Sequence, residues 1–400
     1  MPATEDRKWR RAIEVAMVLG KLGVIGFGGP AAHIAMMQRE VVERRRWLEP
    51  QHFLDLIGAT NLIPGPNSTQ IAIHLGLIRA GWMGLIAAGV CFILPAFAIT
   101  TALTWAYVEY GALPQVDPWL AGVRPAVLAL VGAAVWKLGR NAVSSVLLGT
   151  IGVLVAVATL WGINEVLALL GGGLFGMVTI RLLKGKEKAA LMVPFTMPGK
   201  SFWPALATPM AGAVAATSFT VWKMALFFLK VGCTLYGSGY LLVAFLEDEL
   251  VKKWQWLTPS ELLDAVAIGQ LTPGPILTTA SSVGYIKSGL SGAAVATAAI
   301  FLPSFIFVAL LKVVLPILRQ SPWTGAFLDA VNVSAVALMA VVCGRLAIET
   351  IGFGGALNWP ALLILPVVVL ATLRWKAGTV WIVLCSAFVG RLMLLFSSAG

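Results

Sequence analysis

The stretch LIPGPNSTQ, residues 62–70, writes proline–glycine–proline into the middle of an apolar segment, and LTPGPILTT, residues 271–279, does so again. Proline lacks a backbone N–H and fixes φ, and glycine tolerates a sharp turn, so no helix runs unbroken through either stretch. Residues 50–63 and 66–79 on the two sides of the first break each make about 21 Å of helix, short of the roughly 30 Å of a bilayer core. Pro66 suits the first position of the new helix, where its missing donor costs nothing. Thr258, Pro259, Ser260 and Glu261 read as a capping box that starts the helix leading to the second break.

A helix broken inside a membrane frees backbone groups that only protein or a water-filled cavity can cover. Its new N-terminus presents N–H groups with partial positive charge, which favours an anion. Pro64, Gly65, Pro66 and then Asn67, Ser68 and Thr69 supply the first such end. Pro273, Gly274 and Pro275, with Thr272, Thr278 and Thr279, supply the second. A single motif of this kind reads equally well as a kink that only shapes packing; two related copies beside hydroxyl residues favour a site.

The copies belong to a longer repeat. With an offset of 209 positions, residues 21–74 fall on 230–283: Lys21 meets Lys230, Glu40 meets Glu249, Pro50 meets Pro259, Asp55 meets Asp264 and Pro64 meets Pro273. After one deletion the register continues through Gly84 and Gly292, Pro95 and Pro303, Phe97 and Phe305, and Lys137 and Arg345. Two copies of one unit are therefore expected at 13–182 and 222–397, joined by 183–221. Paired Gly/Pro-interrupted segments in two halves are a recurring plan of secondary transporters; a duplicated scaffold without transport is the plainer alternative.

An earlier break, GVIGFGGPAAH at 23–33, is matched by GCTLYGSGYLL at 232–242. Gly28, Gly29, Gly237 and Ser238 are candidates for a second wall of the same cavity, although glycine-rich apolar helices also serve simply as close-packed interfaces. Lys21 and Lys230 precede these breaks, where a charge in the membrane is either functional or snorkels to the interface. Asp55 and Asp264 lie one turn into the half-helices as proton-coupling candidates, or as caps or salt-bridge partners. Arg124 faces neutral Asn332 in the repeat, which confines any role for it to one half. Glu40 and Glu249 fall in charged loops and read as solvated.

Composition sets the class. Of the 400 residues 59% are hydrophobic and 12% charged, against the roughly 25% charged of a soluble domain. Near-uncharged runs at 81–107, 119–136, 143–160, 290–310, 327–342 and 361–373 predict an all-α polytopic membrane protein. The net charge of +11 gathers in short loops, at residues 7–11, 39–46 and 181–188. That is the place of cytoplasmic charge in a membrane protein, and no basic domain remains to bind nucleic acid. The four cysteines and three histidines are scattered, without a disulfide framework, a metal motif or a cofactor motif. The basic N-terminus reads as part of the mature protein.

If both breaks of the first half turn back as re-entrant hairpins, its basic loops share one side of the membrane. The basic loops of the second half do not fit one side, and one extra span near 203–221 would insert that half upside down. An inverted repeat is the expected arrangement.

Taken together, KLGVIGFGGPAAHIAMMQREVVERRRWL (21–48), LIPGPNSTQIAIHLG (62–76), VGCTLYGSGY (231–240) and LTPGPILTTASSVGYIKSG (271–289) resemble the chromate ion transporter (CHR) family over essentially the whole chain. The resemblance implies a multi-pass carrier of the bacterial inner membrane, with oppositely oriented halves, that exports chromate and for which isosteric sulfate competes. It also allows a homodimer. The family's characteristic residues map to Gly26, Phe27, Gly28, Gly29, Pro30, Pro64, Gly65, Pro66, Pro273, Gly274 and Pro275. Where the family often has three glycines, this chain reads Gly237, Ser238, Gly239, so Ser238 narrows that half and the two halves need not act alike.

Export of a dianion fits the physics. With a negative cytoplasm each charge gains about 2.3 kcal/mol per 100 mV, so a dianion gains roughly 4.6 kcal/mol, enough for an outward gradient on the order of a thousandfold. Proton antiport would add to this. Two rivals stay open: a carrier of sulfate or another small anion, and an intramembrane enzyme, for which no nucleophile–base pair or carboxylate dyad stands out.

Overall fold

The computed structural model describes residues 2–27, 29–111, 117–184, 219–236, 239–320, 322–352, 358–375 and 377–397. Gly28, Gly237, Ser238 and nearly all of the joining segment, with its predicted span near 203–221, lie outside the described residues. Every regular element described is helical.

The first half runs through α1 (Pro2–Ile25), α2 (Gly29–Met37), a π-helical turn (Gln38–Arg44), α3 (Pro50–Thr60), α4 (Asn67–Tyr110), α5 (Asp117–Ala142), α6 (Val146–Leu160) and α7 (Glu165–Lys184). After the joining segment come α8 (Val221–Thr234), α9 (Leu241–Leu246), a second π-helical turn (Glu247–Lys253) and α10 (Pro259–Leu271). A single 3-10 turn (Ile276–Thr278) leads into α11 (Thr279–Gln320), followed by α12 (Pro322–Ile351), α13 (Trp359–Arg374) and α14 (Thr379–Ser397). Five helices of the described residues are long and apolar enough to cross a membrane: Asn67–Tyr110, Pro118–Ala142, Glu165–Leu182, Ile276–Leu311 and Trp323–Ile351. The protein is an all-α, multi-spanning membrane protein.

Local features recur at the repeat spacing. The π-helical turns end beside Arg46 and Gln255, both left-handed at φ 51° and 52°. The capping box at Thr258 and Glu261 is formed. Both proline–glycine–proline motifs break the helix, with Gly65 at φ 126° and Gly274 at φ 97°. Pro66 sits one position earlier than expected: α4 begins at Asn67, and Pro66 with ψ 102° is its cap, because its backbone is still extended there. Pro275 likewise precedes the 3-10 turn rather than a full helix.

α4 and α11 are not straight. At Ala80–Gly81 and Ser288–Gly289 the backbone leaves helical geometry and each helix folds back on itself. A Cβ on Gly76 would lie 2.1 Å from the Gly84 carbonyl, and one on Gly292 would lie 2.1 Å from the Gly284 carbonyl. Residues eight apart in one straight helix stand about 12 Å apart, so only a tight antiparallel hairpin gives this approach, and only glycine at the crossing admits it.

One charged cluster closes the first half. Glu14 of α1 accepts from Arg79, at the tip of the α4 hairpin, at 2.9 Å. It also accepts from Arg45 at 3.3 Å and from the Trp47 indole at 3.2 Å. The Arg79 guanidinium lies over the Trp47 ring, 5.2 Å from its centroid. Glu40 takes Arg45 at 2.8 Å, and this hydrogen bond holds the Glu40 carboxyl below its usual range.

The halves interlock. α5 packs on α13 and α14, while α12 packs on α6 and α7, and the two hairpins α4 and α11 pack on each other. Small residues permit this: Gly122 of α5 approaches Ser386 and Gly390 of α14, and Gly172, Gly173 and Gly176 of α7 approach Ser334, Val331 and Ala330 of α12.

Candidate anion site at the broken helices

Each proline–glycine–proline motif is held by the opposite half. The Gly65 N–H donates to the Leu235 carbonyl at 2.6 Å, and the Gly274 N–H donates to the Gly26 carbonyl at 2.7 Å. Gly26 and Leu235 are repeat counterparts, so the glycine break of one half seats the proline break of the other, reciprocally. The backbone groups freed by breaking a helix are thereby partly satisfied inside protein.

A cavity opens at each break. The one at the second break, about 450 Å³, is lined by Gly26, Phe27, Gly29, Tyr240, Gln270 and Gly274, with Thr272, Ile276 and the first turn of α14. The one at the first break, about 410 Å³, is lined by Asn61, Asn67, Asn141, Asp329 and Asn332. Asn61 and Asn67 are the repeat counterparts of Gln270 and Ile276, so the cavities occupy equivalent places. The structure therefore brings Gly29 and Gly274 together in one cavity and places Asn67 in the other.

Around the first break Asn67 donates its amide to Asn61. Ser68 is buried against His33 Nδ1 at 3.4 Å, and His33 Nε2 meets the Gly26 carbonyl at 2.8 Å, which ties the two breaks of the first half together. The Gln70 amide donates to the Pro64 carbonyl at 2.6 Å. Thr69 Oγ1 and Ser304 Oγ are fully buried without a hydrogen-bond partner among the described residues. Ser304 stands 2.9 Å from where a Gly65 Cβ would be, directly at the break. At the second break Thr278 donates to the Pro275 carbonyl at 2.8 Å and accepts from Thr100 at 3.3 Å. Gln270 has an unpartnered Nε2, with the Tyr240 hydroxyl 3.5 Å from its Oε1.

The charged candidates lie elsewhere. Lys21 is exposed on α1. Lys230 is ion-paired with Glu249, which is 6% exposed; the solvated reading of Glu249 is corrected, because the π-helical turn carries it inward onto α8. Asp55 is exposed and accepts from Gln51 at 3.4 Å. Asp264 is 1% exposed and bound by both arms of the Arg124 guanidinium, at 3.0 and 2.9 Å, and by the Tyr107 hydroxyl at 2.9 Å. Arg124 is thus not confined to its own half: it joins α5 to α10 across the interface.

Sequence reasoning passed over Ser304, Gln270 and Tyr240. Ser304 alone left a trace, since Pro95-Ala96 in one copy becomes Pro303-Ser304 in the other, a hydroxyl gained beside an aligned proline.

The chromate transporter family model matches residues 13–177 and 222–391. The chain belongs to the chromate transporter family. It is 32% identical over 339 residues to a probable chromate transport protein of Synechococcus elongatus, covering 81% of this chain and 82% of the relative. To the chromate transport protein of Cupriavidus metallidurans it is 32% identical over 342 residues, 81% and 79% of the two chains. To that of Pseudomonas aeruginosa it is 30% identical over 333 residues, 82% and 79%. No solved structure matches it. As a member of this family the protein is a multi-pass inner-membrane transporter of an oxyanion and not an enzyme; among the described residues no group of His, Cys, Asp or Glu is placed to hold a metal ion.

Proposed function

We propose that this chromate transporter family member is a secondary carrier that exports chromate, driven by the membrane potential and aided by proton antiport, with sulfate as a competing dianion. Two halves of opposite orientation, with re-entrant breaks, form the transport unit. The reciprocal packing of α5 and α12 on the other half's last two helices supports a twofold relation between the halves. The cluster of Glu14, Arg45 and Arg79 supports re-entrance in the first half, since it gathers residues that must share one side.

The observation that supports the substrate class is the set of buried polar atoms without partners among the described residues at the breaks, which includes three groups able to donate, the Thr69 and Ser304 hydroxyls at the first and Gln270 Nε2 at the second, beside one acceptor, Gln70 Oε1. A buried polar group left unpaired costs about 1–3 kcal/mol, and an oxyanion is an acceptor on every face. The helix N-terminus at Asn67 adds partial positive charge without a formal cation, which suits an anion that must leave again.

Chromate uptake into inside-out vesicles, with the interior made positive and excess sulfate added, tests this reading. Potential-dependent uptake that sulfate blocks is the expected result; absence of uptake by correctly inserted protein would overturn it, and uptake of sulfate alone would move the substrate to sulfate. Residue by residue, Asn67→Ala or Ser68→Ala is expected to lower the uptake rate about tenfold, the worth of one hydrogen bond to a charged group. Ser144→Ala, on an exposed link outside both breaks, should leave it unchanged. Equal effects at the three positions would remove the site from the break.

A further inference from the structure

The two breaks share a seat but not a lining. Each glycine N–H finds its carbonyl in the opposite half, so that need of the fold is met in both copies. The residues around the seats differ one by one. Asn67 and Ser68, which open α4, are replaced in the second copy by Ile276 and Leu277. Ser304, beside Gly65, is replaced by Ala96, beside Gly274.

Thr69 and its counterpart Thr278 are both buried, yet their hydroxyls fare differently. α4 begins directly as an α-helix, with the Gln70 N–H donating to the Pro66 carbonyl at 3.0 Å. The N–H groups of Asn67, Ser68 and Thr69 are left without a partner inside the helix. The second break begins instead as a 3-10 turn, in which the Thr278 N–H already donates to the Pro275 carbonyl, also at 3.0 Å. That carbonyl takes the Thr278 hydroxyl proton as well, at 2.8 Å, and the Thr100 hydroxyl donates to Thr278 at 3.3 Å. One turn further on, the Thr104 and Ser282 hydroxyls meet at 2.8 Å and extend this buried seam between the hairpins.

The first break lacks the seam. The counterpart of Thr100 is Val308 and that of Ser282 is Ile73, and these two pack in one apolar cluster with Ile63. Val308 has no hydroxyl to offer, and Thr69 Oγ1 has no partner among the described residues. Gln270 does not distinguish the breaks, because its counterpart Asn61 brings an amide to the same place at the first, where it accepts from Asn67.

We propose that the chain holds one oxyanion site and not two. The first break binds the ion through the Thr69 and Ser304 hydroxyls and the N–H groups that open α4, and the second break is a fixed joint. Asn67, in the same turn as Thr69, lines the cavity through which the ion arrives. An ion at the second break would have to displace the hydrogen bonds of Thr278 before gaining any. Val308 is then the residue that keeps the site open, by denying Thr69 a partner. This inference rests on the reading of the protein as an anion carrier.

Equilibrium dialysis of chromate, and separately of sulfate, against the purified full-length protein tests it with variants that hardly change side-chain volume. One bound ion per chain is expected. Thr69→Val and Ser304→Ala should each raise the Kd at least tenfold, as for a lost hydrogen bond to a charged group. Val308→Thr, which gives Thr69 the partner its twin already has, should raise it at least threefold, while Thr100→Val should stay within twofold. Val308→Thr leaves every donor of the site in place, so weaker binding there separates an occupied donor from a missing one. Two ions per chain, or equal losses in Thr69→Val and Thr100→Val, would overturn the single site and leave the carrier reading standing. The expected pattern with sulfate but no binding of chromate would sustain the site and refute the chromate reading alone. Binding of neither ion by the wild-type protein would overturn both.

Discussion

Gly274→Ala is expected to reduce potential-driven oxyanion uptake at least a hundredfold. The residue holds φ 97°, and an added Cβ would stand 2.8 Å from the Ala96 Cβ and 3.4 Å from the Gly23 carbonyl oxygen. Ala96 belongs to the packed hairpin and cannot swing away as the end of a long side chain could. The turn must shift instead, and the shift pulls the Gly274 N–H off the Gly26 carbonyl, the bond that seats one half in the other. A hundredfold corresponds to about 2.7 kcal/mol, within reach of a strained backbone plus a lost buried hydrogen bond. Gly65→Ala meets softer neighbours, Gln70 Nε2 at 2.3 Å and Ser304 Oγ at 2.9 Å, so its protein should fold better while its transport also fails. Initial rates in vesicles, normalised to inserted protein, check both; a wild-type rate for Gly274→Ala would mean that the break tolerates rearrangement and does not shape the path.

Asp264→Ala should lower the stability of the detergent-solubilised protein by about 3 kcal/mol, because it removes both charge-assisted hydrogen bonds that Asp264 gives the Arg124 guanidinium in a mostly buried place. Arg124 keeps 25% side-chain exposure, which puts the effect at the lower end of the range for broken buried pairs. The double variant Arg124→Met, Asp264→Leu should recover most of the loss, since an apolar pair of similar volume avoids the desolvation of both charges. Tyr107→Phe removes one hydrogen bond and should cost about 1 kcal/mol. Thermal unfolding followed by tryptophan fluorescence distinguishes the cases. If the double variant is no more stable than Asp264→Ala, the pair does not act as a unit.

Much of the fold was legible because its signals are one-dimensional. Apolar runs gave the spans, prolines and glycines gave the breaks, and Thr258 with Glu261 gave a helix start that the structure reproduces. Even the reversal at Ala80–Gly81 agrees with the sequence expectation of a short helix ending at Arg79 and a full span beginning at 81. The Arg124–Asp264 pair was not legible, since its partners lie on different halves and the repeat alignment compares halves without saying how they touch. Burial was hidden for the same reason. Glu249 reads as a loop residue until a π-helical turn rotates it inward onto α8. Thr69 and Ser304 are hydroxyls among many; only packing shows that nothing answers them.

The exchanged seats of Gly65 and Gly274 bear on how such a chain could have arisen. Neither half completes its own turn: each lends the carbonyl that the other requires, and each lends the long helix on which the other's final pair rests. A single half would therefore meet its missing partners only on a second copy of itself. Joining both in one chain keeps those partners always at hand and lets corresponding positions differ, as Gln38 and Arg39 differ from Glu247 and Asp248.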